Sequence, residues 1–68
     1  SMLEVSLNGK ILKLEYDMSV QEFLASLGFD MKFIALERDG EILAKTNWQD
    51  TMMSGGKRYE VVEFVGGG

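Results

Sequence analysis

The 68-residue sequence predicts an α+β domain in which a mixed sheet of four or five strands curls around one helix. Three features lead to this reading. Asn8-Gly9 lies between two alternating apolar runs, a helix signature begins at Ser19, and an apolar strand spans 59–65. An amphipathic helix needs a sheet face to cover, and a sheet with one apolar face needs that helix, so two layers are the simplest packing.

Residues 2–16 read as a β-hairpin. Asn-Gly suits a two-residue type I′ turn, which requires positive φ at both central positions. This turn sets the register: Leu7 faces Lys10, Val5 faces Leu12 and Leu3 faces Leu14. On the other face Glu4 meets Lys13, an opposite-charge cross-strand pair.

A helix is expected over 19–28. Ser19 is its N-cap, Glu22 completes the S-x-x-E capping box, and Met18 and Phe23 occupy the staple positions. Val20, Phe23, Leu24 and Leu27 recur at i, i+3, i+4 and i+7 and form one core-facing stripe. Gly28 supplies the left-handed stop.

Residues 33–38 form a third strand with Ile34 and Leu36 inward. Asp39-Gly40 makes a second tight turn, and Glu41-Ile42-Leu43 a short return strand. Thr46 and Gln49 cap a brief helical turn that carries Trp48. The single tryptophan is read as a core plug rather than a ligand platform. Ser54-Gly55-Gly56 is a loop, and the last strand runs from Tyr59 to Val65. First and last strands pair in parallel at the sheet centre, with the intervening chain as the crossover.

The last strand carries a glutamate on each face. Coverage runs out toward its end, so Glu63 reaches water more easily than Glu60. This places Tyr59 and Val61 inward and turns Val62 and Phe64 outward, as a docking patch beside the chain end. The reverse parity would make Phe64 core.

Composition narrows the chemistry. The chain has no cysteine and no histidine, which excludes disulfides, thiolate zinc sites, cysteine nucleophiles and imidazole bases. No loop has the dense acidic spacing of a calcium site, so no metal is expected. Glu37 and Asp39 are the nearest paired acids, and Asp39 belongs to a turn. Neither Gly55-Gly56 nor the final glycines open a helix after a strand, so no phosphate cradle is expected. The chain is therefore read as a non-enzyme. Net charge is −4, from eleven acids against seven scattered bases, which argues against nucleic acid and suits a basic protein partner. No apolar run approaches the roughly 20 residues of a membrane span, and no signal-peptide pattern opens the chain. A cytoplasmic domain over 2–65 is expected, with Met2 as the natural start after a cloning-derived Ser1.

What remains is Gly66-Gly67-Gly68. Such an end is either a disordered stub or a flexible chemical handle. Three extended residues reach about 10 Å, and glycine enters a narrow channel without a Cβ clash. A C-terminal carboxylate is a poor electrophile until it is adenylated, when AMP becomes its leaving group. Sulfur can then replace AMP and give a thiocarboxylate, the form in which a carrier without cysteine can hold sulfur.

The residues that support a family resemblance span the chain. They are Leu7-Asn8-Gly9-Lys10, Ser19-Val20-Gln21-Glu22-Phe23-Leu24, Ile34-Ala35-Leu36, Asp39-Gly40-Glu41-Ile42, Trp48 and, above all, the run from Arg58 through Phe64-Val65-Gly66-Gly67-Gly68. In these the chain resembles the ThiS family of sulfur carriers in thiamine biosynthesis, which are small β-grasp (ubiquitin-like) proteins. The resemblance implies that an E1-like adenylyltransferase uses ATP to activate the Gly68 carboxylate. A sulfurtransferase system then supplies sulfur, and thiazole synthase accepts it from the Gly68 thiocarboxylate. Gly66 and Gly67 carry over as the tail threaded into both partners, and no cofactor is bound by the chain itself. Ala44-Lys45 stands where the family often has Pro-Arg, and Gly55-Gly56-Lys57 where Asp-Gly-Asp is common. The alternatives are the small subunit of molybdopterin synthase, which uses the same terminal chemistry, a ubiquitin-like protein modifier, and a plain interaction module.

Overall fold

The computed structural model describes residues 2–65. Ser1 and the glycines 66–68, which hold the expected chemical handle, lie outside the described residues. The elements are β1 (Leu3–Leu7), β2 (Lys10–Leu14), α1 (Val20–Ser26), β3 (Ile34–Arg38), β4 (Glu41–Ile42) and β5 (Arg58–Glu63), with 3-10 turns at Met31–Phe33 and Lys45–Asn47. The sheet runs β2-β1-β5-β3-β4. Strand β5 lies at its centre, parallel to β1 and antiparallel to β3.

The first hairpin has the register the turn dictates, Leu3 opposite Leu14, Glu4 opposite Lys13 and Leu7 opposite Lys10. Asn8 and Gly9 take φ of 49° and 82°, the left-handed pair that a type I′ turn requires. Asp39 and Gly40 repeat it at 51° and 84°.

Helix α1 is capped as its sequence specifies. Ser19 Oγ accepts from Glu22 N–H, and Glu22 Oε1 accepts from Ser19 N–H at 2.8 Å. The open N–H groups of Val20 and Gln21 donate to the carbonyls of Thr51 and Trp48. The 48–51 segment therefore completes the helix start, where four backbone donors would otherwise lack partners.

Val20, Phe23 and Leu24 join Val5, Ile34, Leu36, Trp48, Tyr59 and Val61 in the core. Trp48 is 1% exposed and donates its indole N–H to Leu43 O at 2.9 Å, so it fills the core with its polar atom satisfied. Tyr59 is fully buried, its ring 6.4 Å from that of Phe23, and its hydroxyl accepts from Ser54 N–H.

Five local expectations need correction. Leu27 is exposed, not part of the core stripe, because the helix ends at Ser26 and Leu27 is the C-cap leading into Gly28 at φ 86°. Phe33 belongs to a 3-10 turn rather than to β3, since Asp30 caps that turn by accepting from Lys32 N–H. Strand β4 stops at Ile42, although Leu43 still donates to Leu36 O. The turn before Trp48 begins at Ala44, which has no side-chain cap, so Thr46 lies inside it and does not cap it. Finally, β5 ends at Glu63, not Val65. Its partner residue Ile34 is the first of β3, and beyond it the chain turns away through Met31–Phe33.

Candidate functional site

Everything expected of this chain depends on how β5 leaves the sheet. Its first half is embedded: Tyr59 and Val61 point into the core, at 0% and 8% exposure. Its end and the residues that follow are open, with Val62 half exposed, Phe64 similar and Val65 at 94%. The parity is the one the glutamates imply, since Tyr59 and Val61 are buried while Glu63, on their face, still reaches solvent and Val62 and Phe64 are about half exposed.

The outward side chains do not stand alone. Val62 lies opposite Ala35, and Ile42, opposite Glu37, is largely exposed on the same face. Ala35, Ile42, Leu43, Trp48 and Phe64 help to line a shallow depression of about 210 Å³ at the strand's exit. Lys45, on its rim, lies 5.5 Å from the Trp48 ring centroid, within cation–π range. A second depression, lined by Glu4, Ser6, Ile11, Lys57 and Arg58, lies where β5 begins, away from the exit.

Two side chains that sequence reasoning assigned only to turns also hold β5. Asn8 Oδ1 accepts from Val61 N–H at 2.7 Å, and its Nδ2 donates to Val61 O at 3.3 Å. Asp39 Oδ1 accepts from Arg58 N–H at 2.8 Å, and its other oxygen lies 3.5 Å from Lys57 Nζ. The Arg58 N–H beside it, more than the Lys57 ammonium, holds the Asp39 carboxyl below its ordinary value. Asn at the first turn position signals the turn itself. Its reach of 53 residues along the chain has no local signature.

Among the described residues no group of three or more carboxylate, imidazole or thiol side chains is placed to hold a metal ion. No helix of the described residues is long and apolar enough to cross a membrane. Gly66, Gly67 and Gly68 lie outside the described residues, and their expected role is taken up below.

A sheet of order β2-β1-β5-β3-β4 wrapped on one helix, with its central strand leading to the chain end, defines a ubiquitin-like β-grasp domain. Comparison with known proteins narrows the class. The ThiS family model matches residues 4–68. The sulfur carrier protein ThiS of Bacillus subtilis is 35% identical over 65 residues, covering 94% of this chain and 98% of that protein. A thiazole synthase of Paramagnetospirillum magneticum is 32% identical over 66 residues, covering 97% of this chain. The chain spans only 20% of that relative's length. The crystal structure of the thiamine biosynthesis protein ThiS from Geobacter metallireducens superimposes with a TM-score of 0.81 at 26% identity, covering 97% of this chain and all of that one. The chain belongs to the ThiS family.

Proposed function

We propose that this chain is a sulfur carrier of thiamine biosynthesis, bearing its sulfur as a thiocarboxylate at Gly68. The observation that carries the reading is the family match, which runs through residue 68 and so includes the three glycines beyond β5. The buried half of β5 anchors the domain, and its open half points the chain toward a partner's active site.

In this reading the Gly68 carboxylate attacks the α-phosphorus of ATP in an E1-like adenylyltransferase. Pyrophosphate leaves, and an acyl-adenylate forms. The persulfide of a sulfurtransferase system then displaces AMP to give an acyl disulfide, and a thiol cleaves it, leaving the thiocarboxylate and a disulfide. Thiazole synthase accepts the sulfur during thiazole formation. The relative in which a similar segment is one fifth of a thiazole synthase supports this acceptor, because there the two are parts of one chain. Apart from the Gly68 carboxylate, the domain supplies no base or nucleophile of its own, and it acts as a protein co-substrate. Gly66 and Gly67 pass through the partner's channel, where a Cβ would clash. Val62 and Phe64 form the approach surface.

The test is intact-mass measurement after incubation with ATP, a sulfide source and the cognate adenylyltransferase. The expected result is a gain equal to the exchange of one oxygen for one sulfur, and an unchanged mass with an active partner overturns the reading. The approach surface has its own test. Val62→Ser and Phe64→Ser should leave the fold intact and raise the KM of the activating enzyme for the carrier. Unchanged KM in both variants removes these two residues from the site.

A further inference from the structure

We propose that Asn8 is a positioning residue that fixes the point at which β5 leaves the sheet and therefore how the chain end is presented. This rests on the carrier reading above and adds to it a residue outside the strand and the tail.

Strand β1 pairs with β5 in parallel only through Ser6 and Leu7, opposite Arg58 and Tyr59. At Asn8 the backbone turns away with φ 49°, so β1 cannot continue alongside β5. Asn8 N–H still donates to Tyr59 O at 2.9 Å. Its side-chain amide then does what the next strand residue would have done. Oδ1 takes the N–H of Val61 and Nδ2 gives a hydrogen bond to its carbonyl. A carboxamide has the same donor and acceptor pair as a peptide group, so it can extend a ladder by one step after the backbone has left.

Among the described residues this is the last fastening on the β1 side. The next residue of β5 with the same orientation is Glu63, which is exposed. On the opposite side β3 pairs with β5 as far as Ile34 opposite Glu63, and Phe64 N–H donates to Phe33 O. The strand is thus held on both edges through Val61 and on one edge only from Val62 to Phe64. Val62 and Phe64 lie in that singly held stretch, directly before the chain end. Without the Asn8 amide, double pairing would stop at Tyr59. The approach patch would then begin farther from the last residue held on both edges.

Asn8→Gly and Asn8→Asp separate positioning from folding. Glycine keeps the positive φ of the turn and deletes both side-chain bonds. Aspartate tolerates the same φ and keeps an acceptor for the Val61 N–H. The first readout is amide hydrogen exchange of the whole chain. In Asn8→Gly the Val61 amide should exchange roughly tenfold faster than in wild type, relative to the change at Leu24 and Leu36, as expected for losing one partly buried hydrogen bond. Asn8→Asp should restore most of that protection. The second readout is thiocarboxylate formation with the cognate adenylyltransferase under conditions where all variants are folded. KM for the carrier should rise several-fold in Asn8→Gly with kcat nearly unchanged, and Asn8→Asp should recover part of it. Equal acceleration at Val61, Leu24 and Leu36 would make Asn8 a general stability residue and overturn the proposal. Native Val61 protection, or an unchanged KM, would overturn it as well. If wild type itself forms no thiocarboxylate, the carrier reading fails, and the exchange arm alone decides whether Asn8 fastens β5.

Discussion

Asn8 and Asp39 each open a two-residue hairpin turn in left-handed conformation, and each directs a side-chain oxygen to a backbone N–H of β5. They grip opposite ends of the strand. Asp39 holds Arg58, the first residue of β5, and Asn8 holds Val61, the last residue buried in the core. The carboxylate can only accept, and it needs no more, because Asp39's own backbone N–H donates to Arg58 O. The amide both accepts and donates, so it replaces a missing strand residue on both of its hydrogen-bonding groups. The difference teaches that a strand can be started by a charge and prolonged by an amide. Only the amide lies near the end where the chain departs.

Substitutions can break this comparison, and the largest effect is expected between the two clips. Tyr59 is fully buried and also receives the Ser54 N–H. Tyr59→Ala should cost about 3–5 kcal/mol in denaturant unfolding, as for other buried aromatics. A loss below about 1 kcal/mol would mean that the clips, not the core, hold β5.

Removing the clips while keeping the turns comes next. Asn8→Gly should cost about 1–2 kcal/mol, since the partly buried groups of Val61 lose both partners. Asp39→Gly should cost less, because Asp39 is exposed and Arg58 is open to water. Equal losses, compared by chemical denaturation, would contradict the assignment of different roles.

The clips should also differ in their response to acid. Asp39 has a carboxyl pKa lowered from 3.8 by its hydrogen bond from Arg58 N–H. The folded state therefore favours the ionised form, and its stabilisation is present above the unfolded value and lost as pH falls through the folded one. Wild type and Asp39→Asn should converge in melting temperature as pH drops below about 4. Wild type and Asn8→Gly should stay separated, because an amide does not titrate. A constant gap for Asp39→Asn would remove the charge from the account.

The smallest effect lies away from both clips. Ala44 is exposed at φ −60°, an angle proline adopts, and its N–H makes no backbone hydrogen bond among the described residues. Ala44→Pro should raise stability by about 0.4–1 kcal/mol by restricting the unfolded chain. A fall in melting temperature would show that the turn into Trp48 is strained.

Much of this fold is legible in the residues, for physical reasons that differ by element. Asn8-Gly9 admits one turn type, so the whole first hairpin register follows from it. Ser19 and Glu22 specify a helix start through bonds only three residues apart. The parity of Tyr59–Phe64 follows because the buried face must be the one whose glutamate, Glu63, has the easier way out to water. The misreadings fall where local pattern competes with an unseen neighbour. Leu27 keeps the helical period but lies past the last turn, and Phe33 looks like strand until Asp30 caps a 3-10 turn before it. Strand β5 ends early because β3, its partner, has ended. Asn8 and Asp39 carry second roles that depend on chain segments 53 and 19 residues away, beyond the reach of any spacing rule. Sequence pattern also names the terminal glycines as the chemical handle, a reading that stays a proposal.

Deletion of Gly68 tests the central claim most directly, because it separates the scaffold from the chemistry in one molecule. The account predicts an unchanged unfolding curve and complete loss of the oxygen-for-sulfur mass gain that the full chain shows with ATP, a sulfide source and the cognate adenylyltransferase. Unfolding of the shortened domain, or a mass gain that survives the deletion, would contradict it.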